Sequence, residues 1–231
     1  MLHRRTLFLT AVLAPLAAAP GAMADLEGFP TAPQSFLSGV APDTPVKPEE
    51  LAEAGPLGDT VIGKPGAPVT IIEYASLGCP ICGAFHKEVF PKLKKTYIDS
   101  GKVVFIYREF PIGKPSQAAA AAARCVPAKD YFRVSEKLMA NQGKWTGGRD
   151  PDADALYKLV QDTGVKRDAF DTCLANQPIN DGLMWVKQRG RKLGVQGTPT
   201  FFINGQKIRG VLTFEEMQKL IEPHLASAKP A

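Results

Sequence analysis

An α/β fold interrupted by a helical block follows from three features of the sequence. Two apolar, β-branched runs, residues 68–75 and 102–110, bracket a stretch whose apolar residues recur every four positions. Residues 115–193 contain almost no strand-like run, and strand signals return around Asn204-Gly205. Strand, helix and strand in so short a span make a βαβ unit, which implies parallel neighbours and a right-handed crossover. With 231 residues, 45% of them hydrophobic, the chain can bury a core of one to two domains.

The elements follow in chain order. Residues 1–24 carry Arg4-Arg5, an apolar stretch too short and proline-broken to span a membrane, and the small-x-small pattern Ala22-Met23-Ala24. This is the form of an export leader cut after Ala24. The two arginines fit a twin-arginine signal or an ordinary basic n-region. Residues 25–67, rich in proline and without a sustained period, read as an extended arm with at most one short helix near residues 48–55. Residues 68–75 suit a buried strand. Phe85, Val89, Leu93 and Tyr97 then define one face of a helix that ends near Ser100-Gly101, with Pro91 as a kink inside it. Residues 102–110 form the next strand.

Residues 115–193 divide into four or five helices, with Phe170, Cys173 and Leu174 spaced so that Cys173 faces a core. Asn204-Gly205 between two short apolar runs signals a tight hairpin, because both residues tolerate positive φ. Thr213 and Glu216 fit a capping box that opens a last helix with Phe214, Met217 and Ile221 on one face. Residues 68–114 and 194–231 are thus two parts of one α/β unit, with residues 115–193 inserted between them.

The formal charge of +5 falls to +3 once Arg4 and Arg5 leave with the leader, and the basic residues are scattered. That argues against a nucleic-acid partner. Four cysteines, Cys79, Cys82, Cys125 and Cys173, make an even count in an exported chain, where disulfides persist.

The chemistry concentrates in "SLGCPICGAF", residues 76–85. Cys79 falls where a strand ends and a helix begins, so unpaired N–H groups and the helix dipole favour its thiolate. A lowered thiol pKa gives both an attacking sulfur near neutral pH and a good leaving group. Cys82, one turn deeper, suits a shielded resolving thiol, and Pro80 fits the first helical position.

"CPIC" after "IIEY", the helical block and "GVQGTPTFFING" together resemble the DsbA family of thiol/disulfide oxidoreductases over residues 60–226. The resemblance implies a thioredoxin fold with a helical insertion domain. It implies that Pro199 is a cis-proline beside Cys79 and that backbone near Thr198 pairs with an extended substrate. It makes Glu73 a buried acid that relays a proton to or from Cys82; the alternative is a strand edge that exposes the carboxylate. Some members carry a second disulfide in the helical domain, so Cys125 and Cys173 are expected to be bonded, the alternative being two buried free thiols. No cofactor is implied. Cysteine-containing exported proteins are the expected substrates of a monomeric enzyme, and a membrane oxidant its recycling partner. The same pair run in reverse would make an isomerase or reductase, and a groove used without turnover a holdase.

Two residues stand apart. Ile81 occupies a position where histidine is usual in the family; isoleucine cannot donate to the thiolate, so Cys79 should be less acidic and its disulfide less oxidising. His86 completes C-x-x-C-x-x-x-H, part of a zinc pattern, but a structural zinc takes four ligands and the other cysteines are remote. It reads as a partly exposed helix residue near the active surface, and no metal is expected.

Overall fold

A computed structural model describes residues 45–227, so the expected leader and the first part of the arm, to residue 44, lie outside the described residues. Residues 45–227 hold nine α-helices and a five-stranded mixed sheet ordered β1-β3-β2-β4-β5. After the short helix α1 (Pro48–Leu51) come β1 (Thr60–Ile62) and β2 (Val69–Ala75), then α2 (Pro80–Glu88), α3 (Phe90–Leu93) and β3 (Val103–Glu109). Strands β2 and β3 run parallel, with Ile71 opposite Phe105. The helical block is α4 (Gly113–Arg124), α5 (Tyr131–Ala140), α6 (Ala153–Val160), α7 (Arg167–Leu174) and α8 (Gln177–Lys192). The hairpin strands β4 (Thr200–Ile203) and β5 (Gln206–Arg209) and the helix α9 (Phe214–Ser227) close the fold.

Strand period decides what lies where. Odd positions of β2 (Val69, Ile71, Glu73, Ala75) face the core that includes α2, α4 and α9, and even positions (Ile72, Tyr74) face a second core with Phe110, Val186, Val195 and Phe202. Both faces of β2 are therefore buried, which explains its continuous apolar run. Tight turn chemistry holds the return hairpin: Asn204 has φ 45° and Gly205 φ 92°. The capping box forms as read, with Thr213 N–H donating to Glu216 Oε2 at 2.8 Å and Glu216 N–H to Thr213 Oγ1 at 3.2 Å.

Two elements differ from the sequence reading. The expected arm ends in β1, an edge strand antiparallel to β3 with Thr60 opposite Tyr107. Three residues between glycine and proline signals are too few to display alternation. The single helix expected from Phe85 to Tyr97 is instead broken at Val89, whose φ of −104° separates α2 from α3, and the chain continues through a π turn, Lys94–Ile98. Pro91 lacks the N–H of a continuous helix and its ring crowds the carbonyl four residues back. Phe90 thereby takes the buried position that the four-residue period assigned to Val89.

Helix α4 is the axis of the insertion: Ala119 to Ala123 are all buried, and it touches α5, α6, α7 and α8. Short side chains let four neighbours approach one helix. On the other face of the sheet, α8 packs tightly at Gly190, where a Cβ would sit 2.8 Å from Tyr74 and 3.3 Å from Phe110. Gly190→Ala is expected to destabilise the protein by about 1–3 kcal/mol through overpacking, read as a lower denaturation midpoint. No described helix is long and apolar enough to cross a membrane.

Candidate active site

Cys79 is the N-cap of α2, at φ −84° and ψ 118°, with Pro80 in the first turn. It is half-buried, and as a thiol it donates to the Thr198 carbonyl at 3.4 Å. Its pKa is lowered to about 5. Donation from the Cys82 thiol contributes most; desolvation opposes it; the Thr198 side chain and the backbone N–H groups of Cys82 and Ile81 add to the lowering. Cys82 is fully buried, and its pKa is pushed above the ordinary thiol range by burial first, then by its role as donor to Cys79 and by the charge of Glu73. Both sulfurs are free thiols, the dithiol form of the pair.

The Thr198–Pro199 peptide bond is cis. Pro199 is buried, its carbonyl accepting from Gly210 N–H at 3.0 Å, which ties the proline loop to the end of β5. Ile81, in the first turn of α2, is 45% exposed and offers no side-chain donor. Cys125, the C-cap of α4, is bonded to Cys173 in α7, with the Cα atoms 5.7 Å apart.

Glu73 is fully buried at the centre of β2, so no strand edge exposes it. Its Oε2 lies 2.8 Å from His86 Nε2. The reading of His86 as partly exposed is thus corrected: its side chain is 3% exposed, enclosed by the rings of Phe85, Phe90, Tyr107 and Phe132. Cys82, Phe85 and His86 stand at i, i+3 and i+4, which puts all three on the face of α2 that meets the sheet. That spacing was visible in the sequence and was the signal that would have found the pair. Glu73 Oε1 and His86 Nδ1 make no hydrogen bond among the described residues.

An acidic half-buried cysteine, a buried partner one turn on, a cis-proline whose preceding carbonyl meets the first sulfur and an α/β sheet define the class as thiol–disulfide exchange proteins of thioredoxin fold. A thioredoxin family model matches residues 57–223. The probable disulfide bond formation protein D of Bacillus cereus is 32% identical over 170 residues, covering 71% of this chain and 77% of that protein. A putative protein-disulfide oxidoreductase of Rickettsia conorii is 32% identical over 152 residues, and the chain spans about half (53%) of its length. The crystal structure of Wolbachia pipientis alpha-DsbA1 superposes with a TM-score of 0.68 at 32% identity, covering 73% of this chain and 91% of that one. The chain belongs to the thioredoxin family, as a DsbA-like thiol/disulfide oxidoreductase.

Proposed function

We propose that the protein, exported and cleaved near Ala24, introduces disulfide bonds into cysteine-containing exported proteins with the disulfide form of Cys79–Cys82. A substrate thiolate attacks Cys79 Sγ; the Cys79–Cys82 bond breaks, a mixed disulfide forms, and Cys82 leaves with the bonding electron pair and takes a proton. The substrate's second thiolate then attacks the substrate sulfur of the mixed disulfide, releasing Cys79 as thiolate. Two electrons have passed to the enzyme, and a membrane oxidant accepts them to restore the disulfide. In this reading Glu73 relays the Cys82 proton, backbone at Thr198 and Pro199 holds the substrate chain extended, Cys125–Cys173 braces the insertion, and the enzyme acts as a monomer.

The observation that carries the direction is the opposite displacement of two thiol pKa values within one helical turn. Stabilising the Cys79 thiolate stabilises the dithiol form, which makes the disulfide a stronger oxidant. Equilibration with glutathione tests this. A potential well above about −200 mV supports oxidation, whereas one near the thioredoxin value of about −270 mV would move the assignment to the reductase or isomerase reading.

The pH dependence is also set. Between pH 5 and 9 reduction of the pair takes up two electrons and one proton, so the potential should fall by about 30 mV per pH unit, steepening toward about 59 mV below pH 5. Because the folded pKa of Cys79 lies below the unfolded one, its thiolate stabilises the reduced fold fully above about pH 9, and that stability is lost as pH falls through 5. Alkylation of Cys79 should be half-maximal near pH 5, and Ile81→His should move the midpoint lower by supplying a donor to the sulfur. An unchanged or higher midpoint in that variant would refute the role given to Ile81.

A further inference from the structure

The turn that delivers Cys79 is held from outside its own α/β unit. Gln142 lies just after α5, at the start of a single 3-10 turn (Gln142–Lys144) in the helical block. Its Nε2 donates to Leu77 O at 2.7 Å and to Cys79 O at 2.8 Å. Two carbonyl oxygens can be met only by the NH2 end of the amide, and its two hydrogens are both used. Cys79 O also accepts from Gly83 N–H at 3.1 Å, so the carbonyl following the reactive cysteine is fixed by two donors from different elements. Between the two carbonyls, Gly78 N–H donates to Ser116 Oγ of α4 at 3.4 Å, and Ser116 Oγ is 2.6 Å from Ser76 Oγ.

Gln142 itself is anchored. Its carbonyl accepts from Trp145 N–H and from both Thr146 N–H and Thr146 Oγ1, and Trp145 is buried with its indole N–H on Leu138 O. Gly83 leaves it room: a Cβ there would lie 3.3 Å from Gln142 Nε2 and 3.4 Å from Oε1.

We propose that Gln142 is a positioning residue for disulfide exchange, acting on Cys79 through the two turn carbonyls it holds. Its amide hydrogen-bonds the two carbonyls and not the sulfur. It fixes the Leu77–Gly78 and Cys79–Pro80 peptide planes, and with them the aim of the first helical N–H groups that favour an ionised sulfur. The helical insertion therefore sets the reactivity of the nucleophile as well as packing beside it. This rests on the exchange function assigned above to Cys79.

The test is the pH profile of Cys79 alkylation in the reduced, folded, full-length protein. Gln142→Met keeps the length and neutrality and removes both donors, and Gln142→Asn is polar but too short to bridge the two carbonyls. Both should raise the midpoint by about one pH unit, so that alkylation at pH 5 falls several-fold, approaching tenfold at lower pH. Gln142→Lys, which retains donors, should stay at or below the wild-type midpoint. A merely structural glutamine would lower stability in the Met and Asn variants and leave their midpoints at the wild-type value, and that result overturns the proposal. Should Gln142→Met fail to fold, Gln142→Asn gives the same reading. A wild-type midpoint near that of an ordinary thiol would instead refute the activated Cys79 itself, a separate outcome.

Discussion

His86→Leu is expected to cost about 3–5 kcal/mol of stability at pH 7, the largest loss from any one side chain near the redox pair. The reason is the partner left behind. Glu73 is fully buried with one oxygen on His86 and the other without a hydrogen bond among the described residues. Taking the imidazole away strands the carboxylate in a core lined by Phe85, Phe90 and Tyr107. Glu73→Leu should cost less, about 1–3 kcal/mol, because it takes one hydrogen bond from a buried imidazole and strands no carboxylate. The double variant, apolar at both positions, should recover most of the loss, so the coupling measured by the cycle is large. Urea denaturation of the four proteins gives the coupling directly, and additive single losses would refute a dependent pair. The reaction supplies a second readout. If Glu73 relays the Cys82 proton, the stable double variant should exchange disulfides more slowly than wild type, with the alkylation midpoint of Cys79 little changed.

The two cysteine positions were readable because their chemistry is local: a strand run, a turn and a helix start lie within one continuous stretch, and Pro80 marks the first helical turn. The hairpin at Asn204-Gly205 and the box at Thr213 and Glu216 were readable for the same reason, since turn and cap chemistry involve residues at fixed short offsets. Glu73 stands out in the sequence as a charge in an apolar run, but its partner does not: the C-x-x-C-x-x-x-H pattern points His86 toward zinc, and only its helical spacing from Cys82 places it on the face that meets Glu73. Strand β1 escaped because pairing with β3 makes it a strand, and its own three residues carry no pattern. Gln142 left no trace at all. An amide 63 residues from Cys79 acquires its place only when the insertion folds back over the turn.

Replacing Cys125 and Cys173 together with alanine should lower stability by about 4 kcal/mol, the chain-entropy value for a loop closed across a separation of 48 residues. The bond ties the end of α4 to α7, and α4 is the helix around which the insertion packs. Its alanine face fills that core with little side-chain volume, so the register of α4 against its neighbours depends on few interlocking side chains. Unfolding without the cross-link exposes more surface, and guanidinium titration should therefore give a larger m-value together with the lower midpoint. Loss of midpoint with no change in m would place the effect in native packing instead of the unfolded chain. The redox turn answers to the other end of the same helix: Ser116 grips Gly78, while Cys125 lies more than two turns further along α4. Under conditions where the variant remains folded, the alkylation midpoint of Cys79 should stay within a few tenths of a pH unit of wild type. A larger shift would mean that the bond transmits to the active site, and the stability of the insertion and the acidity of the nucleophile could no longer be treated as separate properties of the fold.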